Sequence, residues 1–320
     1  REKWDLLAMQ GVPVATTLIT QRMVLDLVRR QRGVNAGPGV RYAYNNTGYD
    51  LLATALQRAT GESIREYAQA RIFGPLAMTS TRYADHYGEL IINRANGYTR
   101  EGEQWMAAPA MVETVGSGSV YSSVDDLLKW TASFEHGLLG DSTLQQMLET
   151  PGKAAAGSAL PYAFGLQVDL WMGKRRVWHT GALAGFRAVL WRLPAEQWSA
   201  VILCNSAEAK PGDWVEQVAK AYFPPPKIVT MDVVEYPSQT INVRVPEPPP
   251  IPADIVGRYW SDELQVTWTI AARDGGYWLS RGTVPDVALV STPNGTVRAL
   301  GWQVQLERAA GGEAGVVTAL

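Results

Sequence analysis

Apolar residues recur at helical spacing through the first part of the chain and change to strand-like runs beyond residue 162. Thr20 is placed to cap a helix that carries Met23, Leu27 and Val28 on one face. Between Gly48 and Thr60, Leu51, Leu52, Ala55 and Leu56 follow the same period, and Gly61 supplies a stop. Ser63 and Glu66 form a capping box for the next helix, which should reach about Phe73 before Gly74-Pro75 ends it. Ser123 caps a further helix, with Asp125 and Asp126 in its electropositive first turn. Leu127, Leu128, Thr131 and Phe134 are expected to face inward from it.

Four runs then follow with short polar breaks: "YAFGLQVDLW", "RRVWHTG", "FRAVLWRLP" and "WSAVILCNS". Breaks that short predict an antiparallel meander, because parallel neighbours need longer crossovers. A helix is expected from about Gly212 to Tyr222. Helices before and after the meander must cover it, which is an α+β arrangement. Residues 224–254 hold nine of the 19 prolines and read as a stiff linker. Beyond it "VTWTI" alternates with period two, and "DGG" and "NG" are hairpin turns. The expected organisation is a domain at 1–223, a linker at 224–254 and a small all-β sheet or barrel at 255–320.

Composition narrows the function classes. A chain of 320 residues usually divides into more than one core. Its 46 % hydrophobic and 19 % charged content is ordinary for a globular protein. A net charge of −2 without blocks of like charge argues against nucleic acid or an anionic membrane surface as partner. No apolar run approaches the ~20 residues of a membrane span. The lone Cys204 allows no disulfide or thiolate metal site within one chain and is expected in the core. Three histidines make a multi-histidine metal site a poor expectation, and no cofactor is expected. The first residue is Arg1, not Met, and no signal peptide is visible; the expectation is a processed chain or one that starts inside a longer protein.

The chain lacks a Gly-x-Ser-x-Gly elbow, a P-loop, Gly-x-Gly-x-x-Gly and His-Glu-x-x-His. Two short stretches stand out instead. "YNNTGYDLL" places Tyr44 and Asn46 at the mouth of a helix, and "WHTGALAGF" places His179 at the end of a strand. Each has a plain structural reading, an aromatic plug for Tyr44 and a hairpin-edge histidine for His179.

Together, Tyr-x-Asn before a helix and His-Thr-Gly far downstream on an antiparallel strand resemble the penicillin-recognising serine hydrolases. That family comprises class C β-lactamases, D,D-peptidases, D-aminopeptidases and related esterases. "PGVRYAYNNTGYDLLATALQRATGESIREYAQARIFGPLAMTSTRY" is similar to the family along its length, as is "GSGSVYSSVDDLLKW". The resemblance covers about residues 1–223, and the tail resembles the β-barrel domains that some members append. It implies a β-lactamase/transpeptidase-like antiparallel sheet covered by helices, N-terminally incomplete here, with an acyl-enzyme mechanism on a peptide, β-lactam or short ester.

By the same resemblance, Tyr44 exchanges protons with the nucleophile and leaving group, and Asn46 bonds the substrate amide. His179 and Thr180, with Gly181, meet the substrate's carboxylate or its equivalent, and the Ala182 N–H is one oxyanion-hole donor. The family nucleophile belongs to Ser-x-x-Lys. No serine here has Lys three residues later; Ser206 has Lys210 four away, downstream of His-Thr-Gly. The expectation is a chain that begins after the nucleophile, silent by itself, with natural loss of the nucleophile and a binding or scaffold role as the alternative. A module that binds through its 12 tryptophans is disfavoured, since most lie in strand or helix runs. The resemblance points to a periplasmic or secreted protein and leaves the substrate and oligomeric state open.

Overall fold

The computed structural model describes residues 1–135, 139–155, 157, 159–224, 247–300, 302–308 and 315–319. The chain divides into two compact units. One contains Ala15–Leu25 and Ala36–Pro225; the other gathers Arg1–Val14, Asp26–Asn35 and the C-terminal part from Pro226. This division differs from the expected 1–223 and 255–320 domains in giving two N-terminal segments to the C-terminal unit. Most of the proline-rich stretch, 225–246, lies outside the described residues.

The helices are α1 (Lys3–Gln10), α2 (Gln21–Arg29), α3 (Asn46–Thr60), α4 (Ile64–Ala68), α5 (Val124–Ala132), α6 (Ser142–Glu149) and α7 (Pro211–Tyr222). The anticipated caps are in place. The Met23 N–H donates to Thr20 Oγ1 at 3.2 Å, and the Ser63–Glu66 capping box opens α4. A π-helical turn, Gln69–Phe73, carries α4 on to Gly74. Asn45 is the cap of α3, its side-chain oxygen accepting the Gly48 N–H at 2.7 Å. Two short strand pairs lie among these helices: β1 (Arg82–Tyr83) with β4 (Val120–Tyr121), and β2 (Tyr98–Glu101) with β3 (Gln104–Ala107).

The expected meander is present as β5 (Gln167–Trp171), β6 (Lys174–Leu183), β7 (Phe186–Leu193) and β8 (Trp198–Cys204), antiparallel and in chain order. Alternation along β7 divides two faces. Val189, Trp191 and Leu193 pack with Val215 and Ala219 of α7. Trp171 meets Trp191 edge-on at 5.3 Å. Burying one such aromatic removes about 150–250 Å² from water, worth up to roughly 4–6 kcal/mol. On the opposite face Ser199 Oγ lies 3.1 Å from Thr131 Oγ1 of α5, and the Arg192 guanidinium stands over the Phe134 ring at 4.0 Å. Helices thus cover both sides of one sheet.

Helix α5 departs from the expected inward set. Thr131 and Phe134 are buried, but Leu128 is 41 % exposed and Asp126 only 2 %. The carboxylate turns inward because it is satisfied there: it accepts from the Ser80 N–H, Thr81 Oγ1 and Lys129 Nζ at 2.6, 2.9 and 2.8 Å. Burial alone would raise this carboxyl, but those hydrogen bonds together hold it below the usual aspartate value. A depressed folded-state value gives stability that is present above the unfolded value of about 3.9 and is lost as pH falls through the folded one. Asp126→Asn is therefore expected to unfold more easily at pH 7 and to lose less additional stability between pH 5 and pH 2. Urea titrations at several pH values measure this; parallel pH profiles for the two proteins would contradict it.

In the other unit, strands β9 (Gly257–Ser261), β10 (Val266–Arg273), β11 (Gly276–Arg281), β12 (Val287–Ala288), β13 (Val290–Ser291), β14 (Val297–Ala299), β15 (Trp302–Arg308) and β16 (Gly315–Ala319) form one sheet. Its order is β12-β11-β10-β9-β16-β15-β14-β13, with β16 parallel to β9. The two edge strands, β12 and β13, are separated by Leu289 alone, so the sheet must roll back toward itself. Tyr259, Trp268, Ile270 and Leu279 are buried in it. Helix α1 belongs to this unit because its last carbonyls are used there. The Met9 carbonyl accepts Trp268 Nε1–H at 3.0 Å and the Ala8 carbonyl accepts Arg281 Nε–H at 2.9 Å.

Candidate active site

Tyr44 and Asn46 flank the cap of α3, so the conformation of that helix start decides where both side chains stand. Its first turn is tied down from below. Asp50 is fully buried and its Oδ1 accepts the Ser117 N–H at 3.2 Å. The Gln21 amide donates to the Asp50 carbonyl at 2.9 Å and accepts the Val115 N–H at 3.2 Å. At Gly116, φ is +113° and an added Cβ would lie 2.3 Å from the Tyr49 carbonyl oxygen. Only glycine lets this loop approach the helix so closely.

His179 arrives from β6. Strand β5 ends at Gln167, opposite Trp178, so the stretch from His179 to Leu183 runs past its β5 neighbour and keeps β7 on its other flank. Thr180, Gly181 and Ala182 are exposed there, and His179 is half-buried. The two motifs meet: the Tyr44 and His179 rings are 5.9 Å apart between centroids. The Tyr44 hydroxyl donates to Asn46 Oδ1 at 3.3 Å. All six residues singled out from the sequence lie in the first unit described, on α3, the turn before it, and the projecting end of β6.

Residues absent from the sequence reading complete the cluster. The Tyr162 ring stands edge-on to both Tyr44 and His179, at 5.9 and 5.7 Å, and tilted toward Tyr42 at 5.7 Å. The Tyr162 hydroxyl is 2.9 Å from His179 Nε2, while His179 Nδ1 is 2.6 Å from the Thr180 carbonyl oxygen. Tyr49 stands beside Gly165 and neighbours Tyr162. Burial first, then the neighbouring phenols of Tyr49, Tyr44 and Tyr42, push Tyr162 well above the usual phenol value. Burial likewise raises Tyr49 and Tyr42. These phenols therefore keep their hydrogens at neutral pH. Tyr49 lay within "YNNTGYDLL" itself, and its place one turn into α3, on the Tyr44 side, was the available signal. Tyr162 gave only an aromatic beside a glycine-containing strand mouth.

Both His179 nitrogens are thus occupied by protein groups, and the substrate contact expected of them requires one of these bonds to open. Elsewhere, His86 Nδ1 lies 2.9 Å from Glu113 on the exposed surface, and His136 lies outside the described residues. Among the described residues no cluster of His, Cys, Asp and Glu could hold a metal ion, and no helix is long and apolar enough to cross a membrane.

In sequence and fold the chain is similar to known proteins. The chain is 29 % identical over 209 residues to a D-aminopeptidase of Brucella ovis, and 26 % over 208 residues to one of Brucella anthropi. Each match covers 64 % of this chain and 39 % of the relative, so the chain spans well under half the length of these curated relatives. A penicillin-binding protein from Bacillus halodurans has the same fold, with TM-score 0.57, 22 % identity, and 69 % of this chain and 68 % of that one covered. The D-amino acid amidase of Ochrobactrum anthropi SV3 superposes at TM-score 0.54 with 20 % identity over 67 % of both chains. The octameric penicillin-binding protein homologue from Pyrococcus abyssi covers 95 % of this chain and 70 % of its own, at TM-score 0.59 and 20 % identity. A sequence model of the family described as Beta-lactamase matches residues 14–221, the region that holds the whole tyrosine–histidine cluster, and the chain belongs to that family of hydrolases.

Proposed function

We propose that this chain supplies the tyrosine–asparagine–histidine side of a hydrolytic acyl-transfer site for amides or peptides of D-amino acids. The observation that carries the reading is the meeting of Tyr44 with His179 across the mouth of α3, beside the exposed Thr180–Ala182 run. Similarity to the Brucella D-aminopeptidases supports the substrate class. In this reading Tyr44 passes a proton between nucleophile and leaving group, and Asn46 orients the substrate amide. Thr180 and Gly181 border the scissile bond, and the Ala182 N–H helps hold the oxyanion. A second reading, a binding protein that retains the pocket without turnover, is favoured by one fact. No serine among the 320 residues has lysine three positions later.

The test begins with the chain as it is. A fluorophosphonate and a labelled β-lactam are expected to leave no covalent adduct. Joining an upstream segment that bears Ser-x-x-Lys is expected to bring hydrolysis of D-alanine p-nitroanilide. Tyr44→Phe in the joined protein should then lower kcat/KM by about 10²–10⁴-fold, the usual range for a positioned acid–base group. A stoichiometric adduct on any serine of the unjoined chain would refute this assignment of roles. Binding of D-alanine amide by a folded joined protein without turnover would establish the second reading.

A further inference from the structure

Of the stretch "WHTGALAGF", the candidate site uses His179 to Ala182 and leaves Gly185 and Phe186 without a part. Leu183 pairs with Phe186, so Ala184 and Gly185 are the two turn residues of the β6–β7 hairpin. The left-handed backbone falls on Ala184, at φ +47°, while Gly185 has no positive φ. The turn itself therefore does not call for glycine at 185. A close approach does. A Cβ on Gly185 would lie 2.3 Å from the Tyr98 nitrogen and 2.4 Å from the Gly97 carbonyl carbon. A Cβ on Gly97 would lie 2.8 Å from the Ala108 carbonyl oxygen, 2.8 Å from the Phe186 ring and 3.1 Å from the Gly185 Cα. Two glycines thus face each other, backbone against backbone, where the β6–β7 hairpin turns and the β2–β3 hairpin begins.

The junction is also hydrogen-bonded. The Gly185 N–H donates to the Ala108 carbonyl at 3.1 Å, and the Ala108 N–H donates to the Gly97 carbonyl at 2.8 Å. The start of β2 is tied in turn to the chain just past β8. The Tyr98 N–H donates to the Asn205 carbonyl at 3.0 Å, and the Ala207 N–H donates to the Tyr98 carbonyl at 2.8 Å. Asn205 Nδ2 donates to the Asn96 carbonyl at 3.0 Å. Since β8 pairs with β7 and β7 with β6, these bonds close a circuit through the tip of β6. Its place matters because β6 has no β5 partner beyond Trp178 and keeps only β7 from His179 to Leu183. A strand end with one neighbour is free to bend away from the site unless its tip is held, and the tip is held at Gly185.

We propose that Gly97, Gly185 and Asn205 are positioning residues that lock the β6–β7 tip to the base of the β2–β3 hairpin and so fix the exposed Thr180–Ala182 backbone relative to Tyr44. The catalytic consequence rests on the hydrolase reading, in which the Ala182 N–H holds the oxyanion. Such a donor works only if it stands in place before the charge develops. A methyl group between the two glycines must push the tip away, and Ala182 lies three residues from it. The interaction lost belongs to the transition state, so the effect falls on kcat rather than KM.

Hydrogen exchange of the full ¹⁵N-labelled chain, read by NMR, tests the lock without any activity. Gly185→Ala is expected to speed exchange of the amides that bond Thr180–Leu183 to Phe186–Val189 by about tenfold or more. At the other end of the same strand pair, Val177 with Arg192, wild-type rates are expected. Asn205→Ala removes one hydrogen bond and adds no atoms; it should give a smaller acceleration at the same amides, and it decides the matter if Gly185→Ala does not fold. In the joined protein carrying Ser-x-x-Lys, Gly185→Ala should lower kcat on D-alanine p-nitroanilide by about 10–10²-fold and leave KM within about threefold. Wild-type exchange at the tip of folded Gly185→Ala, or of Asn205→Ala in its place, would overturn the lock. Equal acceleration at both ends of the strand pair would overturn it too, as general destabilisation. Faster exchange at the tip with an unchanged kcat would overturn the positioning role and leave a purely structural junction. A joined wild-type protein without turnover would count against the hydrolase reading alone, since the exchange rates still decide the lock.

Discussion

Glu149→Ala is expected to destabilise the protein by about 3–5 kcal/mol, the range for stripping one partner from a buried ion pair. Glu149 ends α6, and its carboxylate takes an Arg192 Nη1–H on one oxygen and an Arg175 Nη1–H, at 3.1 Å, on the other. Arg175 Nη2 also donates to the Glu149 carbonyl at 3.0 Å. Arg192 is only 6 % exposed and stands over the Phe134 ring. Burial by itself pulls its guanidinium below the usual arginine value, and the Glu149 carboxylate works against that pull. Without the carboxylate, a cation remains under the helices with only partial compensation. Glu149→Leu combined with Arg192→Met removes both charges and should recover most of the loss, because a volume-matched apolar pair needs no desolvation of ions. Denaturant titrations of the single and double variants measure the coupling. A loss below about 1 kcal/mol for Glu149→Ala would mean that water reaches Arg192, against its burial here.

The second large effect is expected at Gly116. Gly116→Ala places a methyl 2.3 Å from the Tyr49 carbonyl oxygen and 2.9 Å from the Ala53 Cβ, at a backbone φ of +113°. Crowding a packed site typically costs about 1–3 kcal/mol. Forcing an L-residue into this conformation costs a further ~1–3 kcal/mol. The two act on one loop, so a loss on the order of 3 kcal/mol or more is expected in urea. Relief requires the loop to move away from α3, which loosens the Ser117 N–H bond to Asp50 and shifts Tyr49. The damage should therefore reach the neighbouring Tyr162–His179 pair as well, visible as a change in the imidazole NMR signals of His179. Gly118→Ala is the internal control: an added Cβ there meets nothing within 4 Å, so a change within about 0.5 kcal/mol is expected. Equal losses at both positions would show that general loop flexibility, not the close approach to Tyr49, governs the effect.

Much of the fold and half of the candidate site were legible in the sequence, and the division has physical causes. Local rules carried the helices and the meander: Thr20, Ser63 and Ser123 cap where their side chains can reach N–H groups a turn ahead. The four apolar runs after Tyr162 pair in order because their breaks are too short for any other connection. Tyr44, Asn46 and His179 could be named from short motifs and from family resemblance. Leu128 and Asp126 could not be placed, because helical period does not tell which face finds a partner, and the Ser80 N–H that satisfies Asp126 is remote in sequence. The same holds for α1, whose final carbonyls are claimed by Trp268 and Arg281 from the far end of the chain. Tyr162 carried no motif at all. Its place in the cluster depends on a 2.9 Å approach to a His179 nitrogen 17 residues further along the chain. The sequence by itself determined which segments become helix or strand, since that follows from spacing, capping and residue type. Only the tertiary structure decided which side chains meet, because Tyr44, Tyr162 and His179 come together from segments remote in sequence, and their approach depends on the packing of whole elements.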